Sequence, residues 1–331
     1  MEEINFTERN IKASGVSSLS WNGEDLVDWI AGGRRFCVNG EIEDASINYA
    51  YSFDAAIVSP SGSYVVLYTK YQTKGILLKN NKIIREINRS FYQADSYEYP
   101  ITFAKLKNGK EALIHCPEDY CQLDIEDIET GKILTSHKRR EPNDFFHSRL
   151  LISPNGKWLM SAGWVWHPLD CVELFDIATA LKDPLSLDKP NIITSEDLEI
   201  SSAAFLDDNY VFVGSSDEFI NEPDSDNLGA NTIALWSLES NDYIASISCN
   251  SPIGELLPID QRYVVSFYKH PRLWDMNKKI MVHEWSDINS GTKRNSFAPA
   301  YNEQPYPPLA IDHIKKRFAV ADRENIYVVE F

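Results

Sequence analysis

Three features of the chain point to an all-β ring: a seven-bladed β-propeller of four-stranded antiparallel sheets, closed by an N-terminal strand that completes the last blade. The first is a turn that recurs ahead of an apolar strand. Ser59-Pro60-Ser61-Gly62 precedes Ser63-Tyr64-Val65-Val66-Leu67, and Ser153-Pro154-Asn155-Gly156 precedes Lys157-Trp158-Leu159-Met160. Gly62 and Gly156 are 94 residues apart, and Gly109 of Lys107-Asn108-Gly109-Lys110 lies midway, 47 from each. A period of that size is the mark of a propeller blade. The second feature is length. At 331 residues the chain exceeds the size at which one core usually splits, and radial repetition avoids the split because each blade packs only on its neighbours. The third lies at the two ends. The last unit has three strands and stops, while Asn5–Ala13 is an extended segment with no unit of its own.

The elements follow from apolar runs bounded by turn residues. Blade 1 (14–47) reads Val16–Trp21, Leu26–Ala31, Arg35–Val38 and Ile42–Ile47. Blade 2 (53–89) reads Ala55–Ser59, Tyr64–Tyr71, Gly75–Lys79 and Ile83–Ile87, with Asn80-Asn81 turning its last pair. Blade 3 (100–138) reads Ile101–Leu106, Glu111–His115, Cys121–Ile128 and Ile133–Ser136, turned by Thr130-Gly131-Lys132. Blade 4 (147–195) reads Leu150–Ser153, Trp158–Trp164, Cys171–Ile177 and Asn191–Thr194. Blade 5 (200–249) reads Ser202–Leu206, Tyr210–Ser215, Thr232–Leu238 and Tyr243–Ser248. Blade 6 (252–287) reads Ile253–Ile259, Tyr263–Tyr268, Arg272–Met276 and Ile280–Trp285. The last blade (308–331) reads Leu309–His313, Phe318–Ala321 and Ile326–Phe331, and Asn5–Ala13 is expected beside it as the fourth strand. Closure of this kind covers two sheet faces that an open ring would leave bare.

Composition narrows the partners. Apolar residues make up 43% of the chain, enough for a packed interior. The net charge of −17 disfavours nucleic acid, whose phosphates need a basic footprint, and favours a basic protein. No run of about 18 apolar residues occurs, so no membrane span is expected. Five cysteines in a long chain do not form a disulfide framework. The N-terminal Met1-Glu2-Glu3-Ile4-Asn5 lacks a basic and then apolar leader, so a cytoplasmic setting is expected.

The third strand of several units carries a shared pattern. Leu273-Trp274-Asp275-Met276 is the clearest copy. Leu235-Trp236-Ser237-Leu238 and Leu174-Phe175-Asp176-Ile177 match it in register, and Glu126-Asp127-Ile128 matches in part. The steps are 49 residues from Asp127 to Asp176 and 99 from Asp176 to Asp275 across two units. In this the chain resembles a divergent WD-repeat protein over nearly its whole length. The Gly-His dipeptide that opens many such repeats is missing, so the family's His/Asp hydrogen-bond network does not carry over. The resemblance implies a propeller with a scaffold role and no catalytic residues. Trp236 and Trp274 are expected in the core.

Motifs for chemistry are few. Lys110, Lys132 and Lys157 each follow a glycine, but Glu111, Ile133 and Trp158 come next, so no phosphate loop forms. Neither G-x-G-x-x-G nor G-x-S-x-G occurs. In Glu222–Gly229, a calcium loop starting at Asp224 would put Leu228 and Leu235 where oxygen ligands belong, so the segment reads as a solvated insertion. Cys116 and Cys121, with His115 adjacent, lack the second ligand pair that structural zinc requires. No cofactor and no metal are therefore expected. The competing expectation is a propeller hydrolase or lactonase with acidic channel residues and a divalent metal. By loop position its candidates are His167, Asp170, Glu118 and Asp119.

Strand parity supplies the expected site. Antiparallel strands put the A–B and C–D turns on one face of the ring and the B–C and D–A loops on the other. The first set reads short and regular. The second is long and rich in aromatic and acidic residues: Tyr49, Tyr71, Tyr92, Tyr97, Glu98, Glu118, Asp119, Tyr120, Trp164, Trp166, His167, Asp170, Glu196, Asp197 and Tyr301. Rigid rings beside carboxylates suit a basic protein partner. A non-catalytic interaction module is therefore expected, and an immunity-type inhibitor of a cationic toxin is a narrower form of it. Ser286–Pro308 is too long for an ordinary connection and is expected to lie across this face.

Overall fold

Local turn chemistry cuts the chain into strands. Ser59 and Ser153 each accept the N–H of the glycine three residues on, at 2.8 Å, and their hydroxyls accept the N–H that opens the next strand, from Tyr64 and Trp158. Gly62 and Gly156 hold φ at 73° and 72°, a region that costs glycine little. Asp207 and Asp260 do the same work before Tyr210 and Tyr263. The outer hairpins are set by a second local bond. Asp127, Asp176 and Asp275, the aspartates of the repeated third-strand pattern, each accept the backbone N–H three residues on, at 2.7 to 3.0 Å. Ser237 takes that place in blade 5, with Ser240 N–H at 3.4 Å. Asn80 and Asn81 both adopt positive φ, as a tight hairpin turn requires.

The computed structural model describes residues 4–45, 47–166, 169–194, 198–219, 228–298 and 306–331. It contains seven four-stranded antiparallel sheets, each ordered A-B-C-D from chain-adjacent strands, except that the last takes its fourth strand from the N-terminus. Thr7–Lys12 pairs with Asn325–Glu330 in the register Thr7↔Glu330 to Lys12↔Asn325. The ring and its closing strand are thus as expected. Two details differ. Strand C of blade 3 is only Asp124–Asp127, because a turn from Asp119 to Gln122 takes the residues before it. The C–D connection of blade 4 is long: Asp176 caps a short helix, Ile177–Ala180, and a 3₁₀ turn follows at Pro184–Leu187.

The core sits between blades, not within them. One apolar cluster joins each of the seven neighbouring pairs, and the cluster between the last blade and the first includes Leu26, Phe36, Ala319 and Val328. Trp236 and Trp274 are buried in two of these clusters. Their indole N–H groups donate to Asn241 and Ser266. Arg317 locks the closing seam. It is buried, its guanidinium lies 3.8 Å over the Trp21 ring, and it bonds Asp312 within its blade and Glu24 and the Gly23 carbonyl across the seam. Replacing Arg317 by Met strands these partners. We expect a lower midpoint in denaturant unfolding, with faster amide exchange in Thr7–Lys12 before the rest of the ring.

Candidate functional site

Blade 4 raises the first part of the site above the ring. Its strands B and C, Trp158–Val165 and Leu169–Asp176, are eight residues each, against five and four in blade 3. Alternate residues of a strand share a face, so Trp164 and Trp166 sit side by side, with ring centroids 5.6 Å apart. Trp164 stacks on Phe146 at 3.9 Å with the planes 6° apart. The Phe146 and Trp164 backbones exchange two hydrogen bonds, and Gly163 makes this approach possible. A Cβ at Gly163 would lie 2.0 Å from the Phe146 carbonyl oxygen. Tyr120 stacks on Phe146 at 4.5 Å, Tyr92 meets Tyr120 at 4.8 Å, and Tyr97 meets Phe146 edge-on at 5.4 Å.

This aromatic stack is buried below and open above. Tyr97, Phe146 and Trp164 are buried, while Tyr92 and Trp166 are 48% and 52% exposed and the neighbouring Phe91 is 85% exposed. Asp95, Glu118, Asp119 and Asp144 are exposed around the rim. Tyr120 donates to Asp144 at 2.6 Å. Loss of water around its hydroxyl and the Asp144 charge both push the Tyr120 pKa up.

The second part is a strap across the mouth of the ring. After blade 6 the chain pairs with Lys269 through Ser290 and Gly291, then reaches the far side, where Ala298 N–H donates to Ser96 and Glu98 N–H donates to Ser296. Blades 6 and 3 are as far apart as two blades of seven can be, so this path crosses the axis. Phe297 joins the aromatic stack 5.2 Å from Trp164. Ser296 donates its N–H and hydroxyl to Asp170, a fully buried carboxylate that also holds Arg149 at 3.1 Å. Burial pushes the Asp170 pKa up against both partners.

Lys293 pins the middle of the strap. Its ammonium lies 2.5 Å from Glu98 and 2.6 Å from Glu255. Burial disfavours its charge, but the two carboxylates outweigh burial and hold its pKa well above that of an ordinary lysine. Burial likewise opposes ionisation of Glu255, yet Lys293, with Lys70 and Arg149 farther off, brings its pKa down to about 2. Glu98 is lowered too, by Lys293 and Lys70 acting against burial. Beneath the strap lies an axial cavity of about 380 Å³, lined by inner strands of several blades and by Asp54, Lys70, Glu98, Arg149, Glu255 and Lys293.

Of the predicted residues, Tyr92, Tyr97, Tyr120, Trp164 and Trp166 come together, with Glu118 and Asp119 next to Tyr120 in the chain. Tyr49 lies apart, against Phe53 at 6.4 Å. Tyr71 meets the strap, its hydroxyl donating to the Phe297 carbonyl at 3.4 Å. Glu98 and Asp170 are buried under the strap. His167, Glu196, Asp197 and Tyr301 lie outside the described residues, as do Asp224 and Asp226 of the acidic insertion. His115 is buried 3.1 Å from Glu126, and burial, with the Arg85 charge, lowers its pKa to about 3. Among the described residues no three His, Cys, Asp or Glu side chains are grouped for a metal ion.

Phe146, Lys293, Glu255 and Asp54 escaped the reading of the sequence. The adjacent pair Phe145-Phe146 in a connection was a usable signal for the first. Lys293 carried one as well, being a basic residue in the middle of an overlong segment. Comparison of the sequence with protein-family models and with curated proteins gave no match.

Two outcomes follow. Gly163→Ala should push Phe146 off Trp164 and weaken the near-ultraviolet circular dichroism of the stack, with the far-ultraviolet spectrum unchanged. Lys293→Met should leave two carboxylates facing each other without their cation, roughly 3 kcal/mol less stable near neutral pH, with the half-accessible Glu255 contributing less than buried Glu98. In the native protein, Glu255 contributes stability above its unfolded pKa near 4.5, and that contribution is lost as pH falls toward about 2. In the variant the main cation opposing burial is gone, so both carboxyl groups titrate higher than in the native protein and lose less stability on protonation. The stability deficit should therefore shrink as pH falls below about 5, which unfolding at a series of pH values will check.

Proposed function

We propose that this propeller is a non-catalytic interaction module that binds a basic protein on the open rim of its aromatic stack. One observation carries the reading. Phe91, Tyr92 and Trp166 expose large ring surfaces, two of them directly stacked on buried partners, amid the exposed carboxylates of Asp95, Glu118, Asp119 and Asp144. Rings held from beneath lose little freedom on binding, and such rings are the usual anchors of an interface. Arginine and lysine side chains fit the place doubly, stacking on the rings and meeting the carboxylates. The net charge of −17 favours the same partner at a distance.

Several finer readings belong with this one. The third-strand pattern ending in Asp127, Asp176 and Asp275 supports kinship with divergent WD-repeat scaffolds. An immunity-type role, covering the active site of a cationic toxin, fits an acidic docking face. Five cysteines outside any disulfide, three of them buried, agree with a reducing compartment such as the cytoplasm. The carboxylates of the axial cavity favour a second reading, a metal-assisted hydrolase. It ranks below the first because Lys293 already occupies two of them.

The test is quantitative capture from native lysate with the wild-type protein, with Tyr92→Ala/Trp166→Ala, and with Glu118→Lys/Asp119→Lys. A basic protein should be retained by the wild type at low salt, be released as salt rises, and fall at least about tenfold with either double variant. Equal recovery with all three proteins would remove the rim from consideration.

A further inference from the structure

The axial cavity has a charge arrangement that the docking reading does not use. Most of the ions around it are already satisfied. Lys293 is held by Glu98 and Glu255. Arg149 spends its donors on the Ala162 and Ser201 carbonyls and on Asp170. Two groups are left over. The Lys70 ammonium lies close enough to Asp54, Glu98 and Glu255 to lower the pKa that burial would otherwise give each of them, yet it makes no ion pair with any described carboxylate. Asp54 lines the same cavity, remains solvent-accessible, and accepts the Lys70 backbone N–H at 2.7 Å. An ammonium with no ion pair among the described residues and an exposed carboxylate thus line one cavity. The rest of the wall is mixed: Leu150, Leu256, Leu309 and Phe267 give it an apolar side, and Ser18, Ser202 and His313 a polar one.

A ligand that completes this wall needs a carboxylate for Lys70, an ammonium for Asp54, and an apolar body for the inner strands. At about 380 Å³ the space falls within the range of small-molecule sites. We propose that the axial cavity binds a small zwitterion with an apolar side chain, of the class of apolar α-amino acids and their dipeptides. A simple anion would face the carboxylates of Asp54, Glu98 and Glu255, and a simple amine would leave Lys70 unpaired. The ion pairs of Lys293 and Arg149 hold the surrounding charges in place, so the ligand meets a pre-formed pattern.

The experiment is titration calorimetry on the full chain with leucine, phenylalanine and Leu-Leu as probes. N-acetyl-leucine lacks the ammonium and leucinamide lacks the carboxylate, and both are run alongside. A zwitterion should give a saturable isotherm, and each blocked analogue should bind at least about tenfold more weakly, the worth of one charged hydrogen bond. Asp54→Asn should erase the difference between leucine and N-acetyl-leucine. Lys70→Met should erase the difference between leucine and leucinamide. The analogue series on the wild-type protein decides the matter even where a variant folds poorly. Absence of saturable binding for all three zwitterions up to about 10 mM, weaker than any useful ligand site, overturns the proposal. Equal binding of leucine and either blocked analogue overturns it too. Rim variants such as Trp166→Ala should leave these isotherms unchanged, which separates this site from the docking face.

Discussion

Apolar burial between blades is the constraint on which everything else rests. No blade holds a core of its own. Each of the seven clusters takes side chains from two neighbours, so every sheet is stable only when both of its faces are covered. The ring must therefore close, and the closing strand and the Arg317 contacts across the seam are where that requirement is met. Closure also fixes direction. Once the inner strands converge on the axis, every B–C and D–A loop faces one side, and the aromatic stack and the strap lie there.

On that side two different physical devices lie next to each other. The aromatic stack is cohesive and directional: flat rings on a glycine-permitted backbone pairing, buried at the base and open at the rim. The strap is held by charge. Lys293, Ser296 and their carboxylates bind it across the axis in a setting where an unpaired ion would be costly. The two meet at Phe297 and Trp164, neither of which lines the covered cavity.

The architecture was legible in the sequence because its determinants are local. Ser59, Ser153 and Asp275 form their turns with residues at most five positions away, and such bonds leave a readable spacing. Strand parity grouped Tyr92, Tyr97, Tyr120, Trp164 and Trp166, whose rings do come together. What stayed hidden depends on distant partners. Glu98 read as a rim residue because nothing near it in the chain announces Lys293, almost two hundred positions later. Phe146 became the centre of the stack only through its pairing with the strand after Gly163, and Asp170 turned inward because Ser296 arrives from another blade. The helix between strands C and D of blade 4 interrupts an otherwise regular pattern of short turns for a local reason, the Asp176 cap, which the repeat masked.

The pairing of Thr7 with Glu330 has an implication for how the protein is made. Synthesis runs from the N-terminus, so this strand emerges before its mate and waits while more than three hundred residues are added. Through that interval it is a bare edge, and its sequence, Thr-Glu-Arg-Asn-Ile-Lys, offers charge and little grease to a passing nascent chain. Until Asn325–Glu330 reaches it, the two sheet faces at the seam have no neighbour, and their pairing closes the ring.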